Sequence, residues 1–201
     1  LIIVEYAGPN RVSEWSADSG KLLREFPSYQ TKANNGYAVD PADPSHIYIP
    51  GHREWLTRFK VDYKTHEWKV DAVWPDVEAG QHKGLDKPDA IRAGKALYLA
   101  SGRNLSVYRL NAAGDRWLKS AAAILKDKKH FLWNDVNGNG EVDDAELRAS
   151  TLPGNVITYH GQKWLADFSY VAMAQGGRDL WRLAPSGFDS HGNPVFKEWK
   201  K

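Results

Sequence analysis

One pattern recurs four times along this chain and limits it to a β fold. Each round runs a short apolar strand, a glycine turn, a strand ending near an aromatic residue, a polar Asp/Gly turn and a returning strand. The first round is Leu1–Tyr6, the turn Gly8-Pro-Asn10, Arg11–Trp15, the turn Asp18-Ser-Gly-Lys21 and Leu22–Phe26. The second holds Tyr37–Val39, the rigid turn Asp40-Pro-Ala-Asp-Pro-Ser45, His46–Ile49, Trp55–Val61 and Glu67–Val70. The third holds Asp89–Arg92, Ala96–Leu99, Leu105–Leu110 and Arg116–Leu118, and the fourth Tyr170–Met173, Asp179–Leu183 and Val195–Trp199. β-branched and aromatic residues alternate within these runs, and Gly, Pro, Asn and Asp separate them. Helical periodicity is nearly absent, so the expected class is all-β.

The period narrows the architecture. With Trp15, Phe59, Tyr108 and Trp181 taken as equivalent, the spacings are 44, 49 and 73 residues. The first two match the period of about 40–50 residues that marks a propeller blade, and the third exceeds it by roughly 25. The turn Trp15-Ser-Ala-Asp-Ser-Gly-Lys21 with the following Leu22-Leu-Arg-Glu-Phe26 resembles the blade turn of NHL-type and quinoprotein-type β-propellers. The resemblance implies a β-propeller with about four blades in view. Propellers close with four to eight blades, and Leu1 and Lys201 fall at strands. The chain therefore reads as part of a larger ring, or as one completed by another polypeptide. The expected division is blades over 1–124, an insertion over 125–160 and a further blade over 161–201. A β-sandwich of the same hairpins is the alternative.

The surplus length coincides with Asp135-Val-Asn-Gly-Asn-Gly-Glu-Val-Asp-Asp-Ala-Glu146. This stretch fits the twelve-residue calcium loop position by position. Asp135, Asn137 and Asn139 take places one, three and five, and Gly140 takes the sharp turn at six. Glu141 would offer its carbonyl, Asp143 would act through a water, and Glu146 would bind with both oxygens. The stretch resembles an EF-hand or dockerin-type loop, which implies Ca2+ as the bound ion. The entering segment His130–Asn134 reads as a strand, and the exit Asp143–Arg148 as one or two helical turns. One copy with no entering helix indicates a structural clip and not a switch. Asn at place five lowers the ligand charge, which suits the calcium-rich extracellular or periplasmic setting.

Composition removes other classes. Lys plus Arg number 27 against 25 acids, scattered along the chain, which gives no electrostatic case for nucleic acid. The one basic cluster, Lys126–His130, reads as a solvated turn. No cysteine is present, which excludes disulfides, thiol nucleophiles and zinc–thiolate sites. No run approaches the ~18 apolar residues of a membrane span. The chain opens at Leu1 without Met or signal peptide, as a processed or partial form would.

Weak catalytic candidates are His52, His82 and His160, each in a loop beside a basic residue, an acid or an amide. Such groups could neutralise a uronate and abstract its α proton. His46 and His66 adjoin turns and rank lower. The expected function is a calcium-stabilised module of a secreted or periplasmic protein that binds a carbohydrate or protein partner. A propeller enzyme acting on carbohydrate, a polysaccharide lyase or hydrolase, is the alternative.

Overall fold

The structure is a computed structural model that describes residues 1–4, 11–27, 36–51, 55–77, 85–101, 105–151, 163–173 and 179–201. Its described residues are all-β, in antiparallel sheets of which none closes on itself among them. The chain divides into two compact units, Leu1–Ala90 and Ile91–Lys201.

Among the described residues two sheets lie wholly within the first unit. β1 (Ile2–Val4), β2 (Arg11–Trp15) and β3 (Leu22–Pro27) pair in that order. β4 (Ala38–Val39), β5 (His46–Pro50), β6 (Leu56–Asp62) and β7 (Glu67–Trp74) form the second meander. Burial falls across this sheet. Ile47, Tyr48 and Ile49 of β5 are buried in succession, whereas Val70 and Val73 of β7 are exposed. A strand buried on both faces reads as a continuous apolar run, which Ile47-Tyr-Ile49 is. Ile47, Ile49 and Val61 make the core, with Tyr37, Val39, Phe59 and Trp68 packed against it.

In the second unit, β8 (Pro88–Ala93), which crosses the boundary, β9 (Ala96–Ser101), β10 (Ser106–Leu110), β11 (Trp117–Lys126), β12 (Lys129–Asn134) and β13 (Leu147–Ala149) form one six-stranded sheet in sequence order. β14 (Lys163–Trp164), β15 (Tyr170–Met173), β16 (Leu180–Phe188) and β17 (Pro194–Lys200) form the other. One core joins residues of both sheets, including Tyr98, Val107, Leu132, Trp164, Tyr170 and Phe196. Its aromatic rings meet edge-on or tilted, as with Tyr98 and Phe168 at 4.8 Å and Trp164 and Tyr170 at 4.9 Å. These are the offset arrangements that ring quadrupoles favour.

Three of the described sheets share one feature at the repeated aromatic. Phe59, Tyr108 and Trp181 lie on β6, β10 and β16, each the third strand of its meander, and Trp15 lies on β2, the penultimate strand of its sheet. The pairing to the next strand is bulged between Glu14 and Trp15, between Arg58 and Phe59, and between Val107 and Tyr108. A bulge adds a residue and increases the local twist. Its recurrence just before the equivalent aromatic shows that the three sheets share one frame. Among the described residues no strand crosses over within a sheet, so the Greek-key connections of a sandwich are not seen there.

Candidate metal centre

The loop grows out of the edge of the six-stranded sheet. β11 turns into β12 through Asp127 and Lys128, which have φ of 49° and 61°. Two consecutive positive φ values make the two-residue turn that matches strand twist, so the basic cluster is a turn. Lys126 within it pairs with Asp144. β12 then pairs with β13, Trp133 opposite Leu147 and Phe131 opposite Ala149. Residues 135–146 close that hairpin. Hairpin loops usually hold two to five residues, so this one must supply its own organisation.

Short side chains fold the loop back on itself. Asn137 Oδ1 accepts the amide of Asn139 at 3.0 Å, and Asn139 Oδ1 accepts that of Glu141 at 2.7 Å. Gly138 and Gly140 both have φ of 77°, where a Cβ would strain the chain. Asp143 Oδ1 accepts the amide of Ala145 at 3.0 Å and caps a single 3-10 turn, Asp144–Glu146. The exit is therefore one of the one or two helical turns expected, and β13 begins at once. Glu146 reaches back across the loop. Its Oε1 accepts the amides of Val136 at 2.9 Å and Asn137 at 3.0 Å, and its Oε2 accepts the Trp133 indole N–H at 2.8 Å.

Asp135 differs from the other donors. It is 0% exposed, and its Oδ1 has no hydrogen-bond partner among the described residues. Burial pushes its carboxyl above the usual 3.8, and the nearby Glu146 charge adds to the rise, while the amides of Gly140 and Gly138 and the side chain of Asn193 oppose it. A buried acceptor left unmet costs about 1–3 kcal/mol. It is the kind of atom that a hard cation would satisfy.

Among the described residues no group of three or more His, Asp or Glu side chains gathers to hold a metal. The twelve-residue frame draws its oxygens from a mixed set: Asp135 and Glu146 as carboxylates, Asn137 and Asn139 as amides, Glu141 through its carbonyl and Asp143 at one remove. A carboxylate has about four lone-pair sites, two per oxygen. The two amides take both sites of Glu146 Oε1, and Oε2 keeps one beyond its bond to Trp133, so Oε2 is the oxygen with capacity for an ion, in place of the two expected. The donor chemistry fits calcium.

Behind the loop stands a residue that the spacing of the motif does not mark. Asn193, fully buried in the turn between β16 and β17, donates through Nδ2 to the Asp135 carbonyl at 2.8 Å and to Asp135 Oδ2 at 3.2 Å. Its one sequence signal is the Asp/Gly turn Asp189-Ser-His-Gly-Asn193, which reads as an ordinary long hairpin connection.

The candidate catalytic residues His52, His82 and His160 lie outside the described residues. His46 opens β5 with Nδ1 2.9 Å from Asp43 and Nε2 3.7 Å from Asp71. His66 sits in the β6–β7 turn at φ 56°, its Nδ1 2.9 Å from the buried Glu14. Each has a carboxylate partner that accounts for its place.

No family model matches the sequence, and no curated protein matches it. Among solved structures the chain is similar to the periplasmic gluconolactonase PpgL of Pseudomonas aeruginosa, at 12% identity over 95% of this chain and 63% of that one, with TM-score 0.47. It is also similar to AztD of Citrobacter koseri, at 13% identity over 98% and 56%, with TM-score 0.45. A candidate 6-phosphogluconolactonase of Bacteroides fragilis aligns at 13% identity over 99% and 66%, with TM-score 0.44. The chain thus spans between 56% and 66% of the length of these structures. Among the described residues no helix is long and apolar enough to cross a membrane.

Proposed function

We propose that the chain is a stretch of β-propeller stapled by calcium at residues 135–146, belonging to a secreted or periplasmic protein and serving to bind a carbohydrate or protein partner. The observation that carries this reading is the buried, unmet Oδ1 of Asp135 inside a loop whose remaining donors occupy the calcium frame. Asp135, Asn137, Asn139, the Glu141 carbonyl and Glu146 would hold the ion, with Asp143 acting through a water. Calcium there would neutralise the two carboxylates and add to the hydrogen bonds by which the loop already holds itself. The propeller part rests on the repeat, the recurring bulge and the meander order, with about four blades represented and another polypeptide or further chain completing the ring. Exposed strand edges such as β7 are the natural place for such a partner.

The test is a thermal melt in millimolar calcium and in excess chelator, with metal analysis of the purified protein and the variant Glu146→Gln. An ion that binds only the folded chain at 100-fold over its Kd adds about 2.7 kcal/mol. The expected result is a calcium-dependent rise in Tm that the variant lacks. Metal-free protein with no rise would overturn the reading.

A further inference from the structure

We propose that Asn193 is a positioning residue for the metal: it grips Asp135 so that Oδ1 is presented to the ion, and it couples ion binding to the turn between β16 and β17. This rests on the calcium reading above. Asn193 lies 58 residues from Asp135 and outside the twelve-residue frame.

The orientation of its amide is fixed by its neighbours. Arg109 Nε donates to Asn193 Oδ1 at 3.1 Å, and a guanidinium can only donate. Nδ2 must therefore be the atom turned toward Asp135, where it meets the carbonyl and Oδ2. With Oδ2 held, Oδ1 is the oxygen left without a hydrogen-bond partner among the described residues. The turn that carries Asn193 is itself anchored. Asp189 Oδ1 accepts the amides of His191 and Asn193, each at 2.8 Å, and the Tyr98 hydroxyl donates to the Gly192 carbonyl. Turn and loop are pressed together, since a Cβ on Gly138 would lie 2.6 Å from the His191 ring.

A held carboxylate gives up less freedom when it binds a cation, and such outer partners typically change metal affinity 10–100-fold. Coupling is reciprocal, so the ion must also steady the turn.

Terbium serves as a luminescent calcium substitute, excited through Trp133, whose indole touches Glu146, with calcium competition giving the calcium Kd. Wild-type protein is expected to bind, Glu146→Gln to fail, and Asn193→Ala to bind at least about 10-fold more weakly with an unchanged far-UV spectrum. In wild-type protein, amide exchange at Gly192 and Asn193 is expected to slow when calcium is added. Equal affinity in Asn193→Ala, or exchange indifferent to calcium, overturns the proposal while leaving the calcium reading intact. Wild-type protein that binds neither ion overturns both. Should Asn193→Ala fail to fold, the wild-type exchange experiment decides alone.

Discussion

The Trp133 indole N–H donates to Glu146 Oε2 across 2.8 Å, which joins a wholly buried core ring to the last position of the loop. Calcium binding at Glu146 must therefore change the surroundings of Trp133. We expect a calcium-dependent change in tryptophan emission that disappears in Trp133→Phe, although eight other tryptophans remain of the nine in the sequence. The same variant should lose about 2 kcal/mol or more in denaturant melts, from the smaller ring in a packed site and the missing donor.

Gly138 and Gly114 have nearly the same backbone, with φ of 77° and 78°, but different surroundings. A Cβ on Gly114 meets nothing within 4 Å, whereas on Gly138 it strikes the His191 ring. Gly114→Ala should cost about 1 kcal/mol from the left-handed conformation alone. Gly138→Ala should cost at least about 1 kcal/mol more, within the range for forced overpacking. Adding His191→Ala should recover that excess. Equal melts for the two glycine variants would show that loop and turn do not press together.

Asp135→Asn should change sign with calcium. In chelator it removes a buried charge and should raise Tm at neutral pH; in calcium it removes a ligand and should lower Tm below wild type. The pH dependence follows from linkage. Because the folded pKa of Asp135 is raised, the folded form holds the proton more tightly, and apo stability grows as pH falls through that pKa toward the usual 3.8. Asp43, Asp62 and Asp167 are held below 3.8 by hydrogen bonds from the Ser45 side chain, the Lys64 amide and the Ser169 side chain respectively. Their contributions are present above 3.8 and vanish as pH drops through their lowered values. Apo melts should therefore improve with mild acid and worsen below it, and Asp135→Asn should flatten the improving limb.

Trp164 donates to the Ser101 carbonyl at 3.0 Å and packs on Tyr170, Phe168 and Phe196. Trp164→Ala should cost about 3–5 kcal/mol by denaturant unfolding. A loss near zero would mean that β14 adds nothing to the second unit's core.

Strands were legible wherever alternation and turn residues coincided, as at Arg11–Trp15 and Trp55–Val61, and the aromatic entry His130–Asn134 is β12. Three elements gave no such signal. β13 and β14 have three and two residues, too few to display a period. The far half of β11, Ala121–Lys126, contains an alanine run that favours no sheet face. The donors of the loop were legible because all lie within twelve positions. Asn193 was not, because what joins it to Asp135 is a contact across 58 residues. The bulges at Trp15, Phe59 and Tyr108 were likewise hidden, since a bulge is a property of two strands and each strand was read alone.

The unequal turns of the six-stranded sheet set an order of assembly. β11 and β12 are joined by the two residues Asp127 and Lys128, already bent to the hairpin's hand. A contact so local forms within microseconds. β13 must wait until residues 135–146 have closed, and it contributes three rungs when it arrives. Until β13 arrives, the outer edge of β12 stays open. An open edge is a template for pairing with another chain, so the closing of residues 135–146 is also what covers this edge.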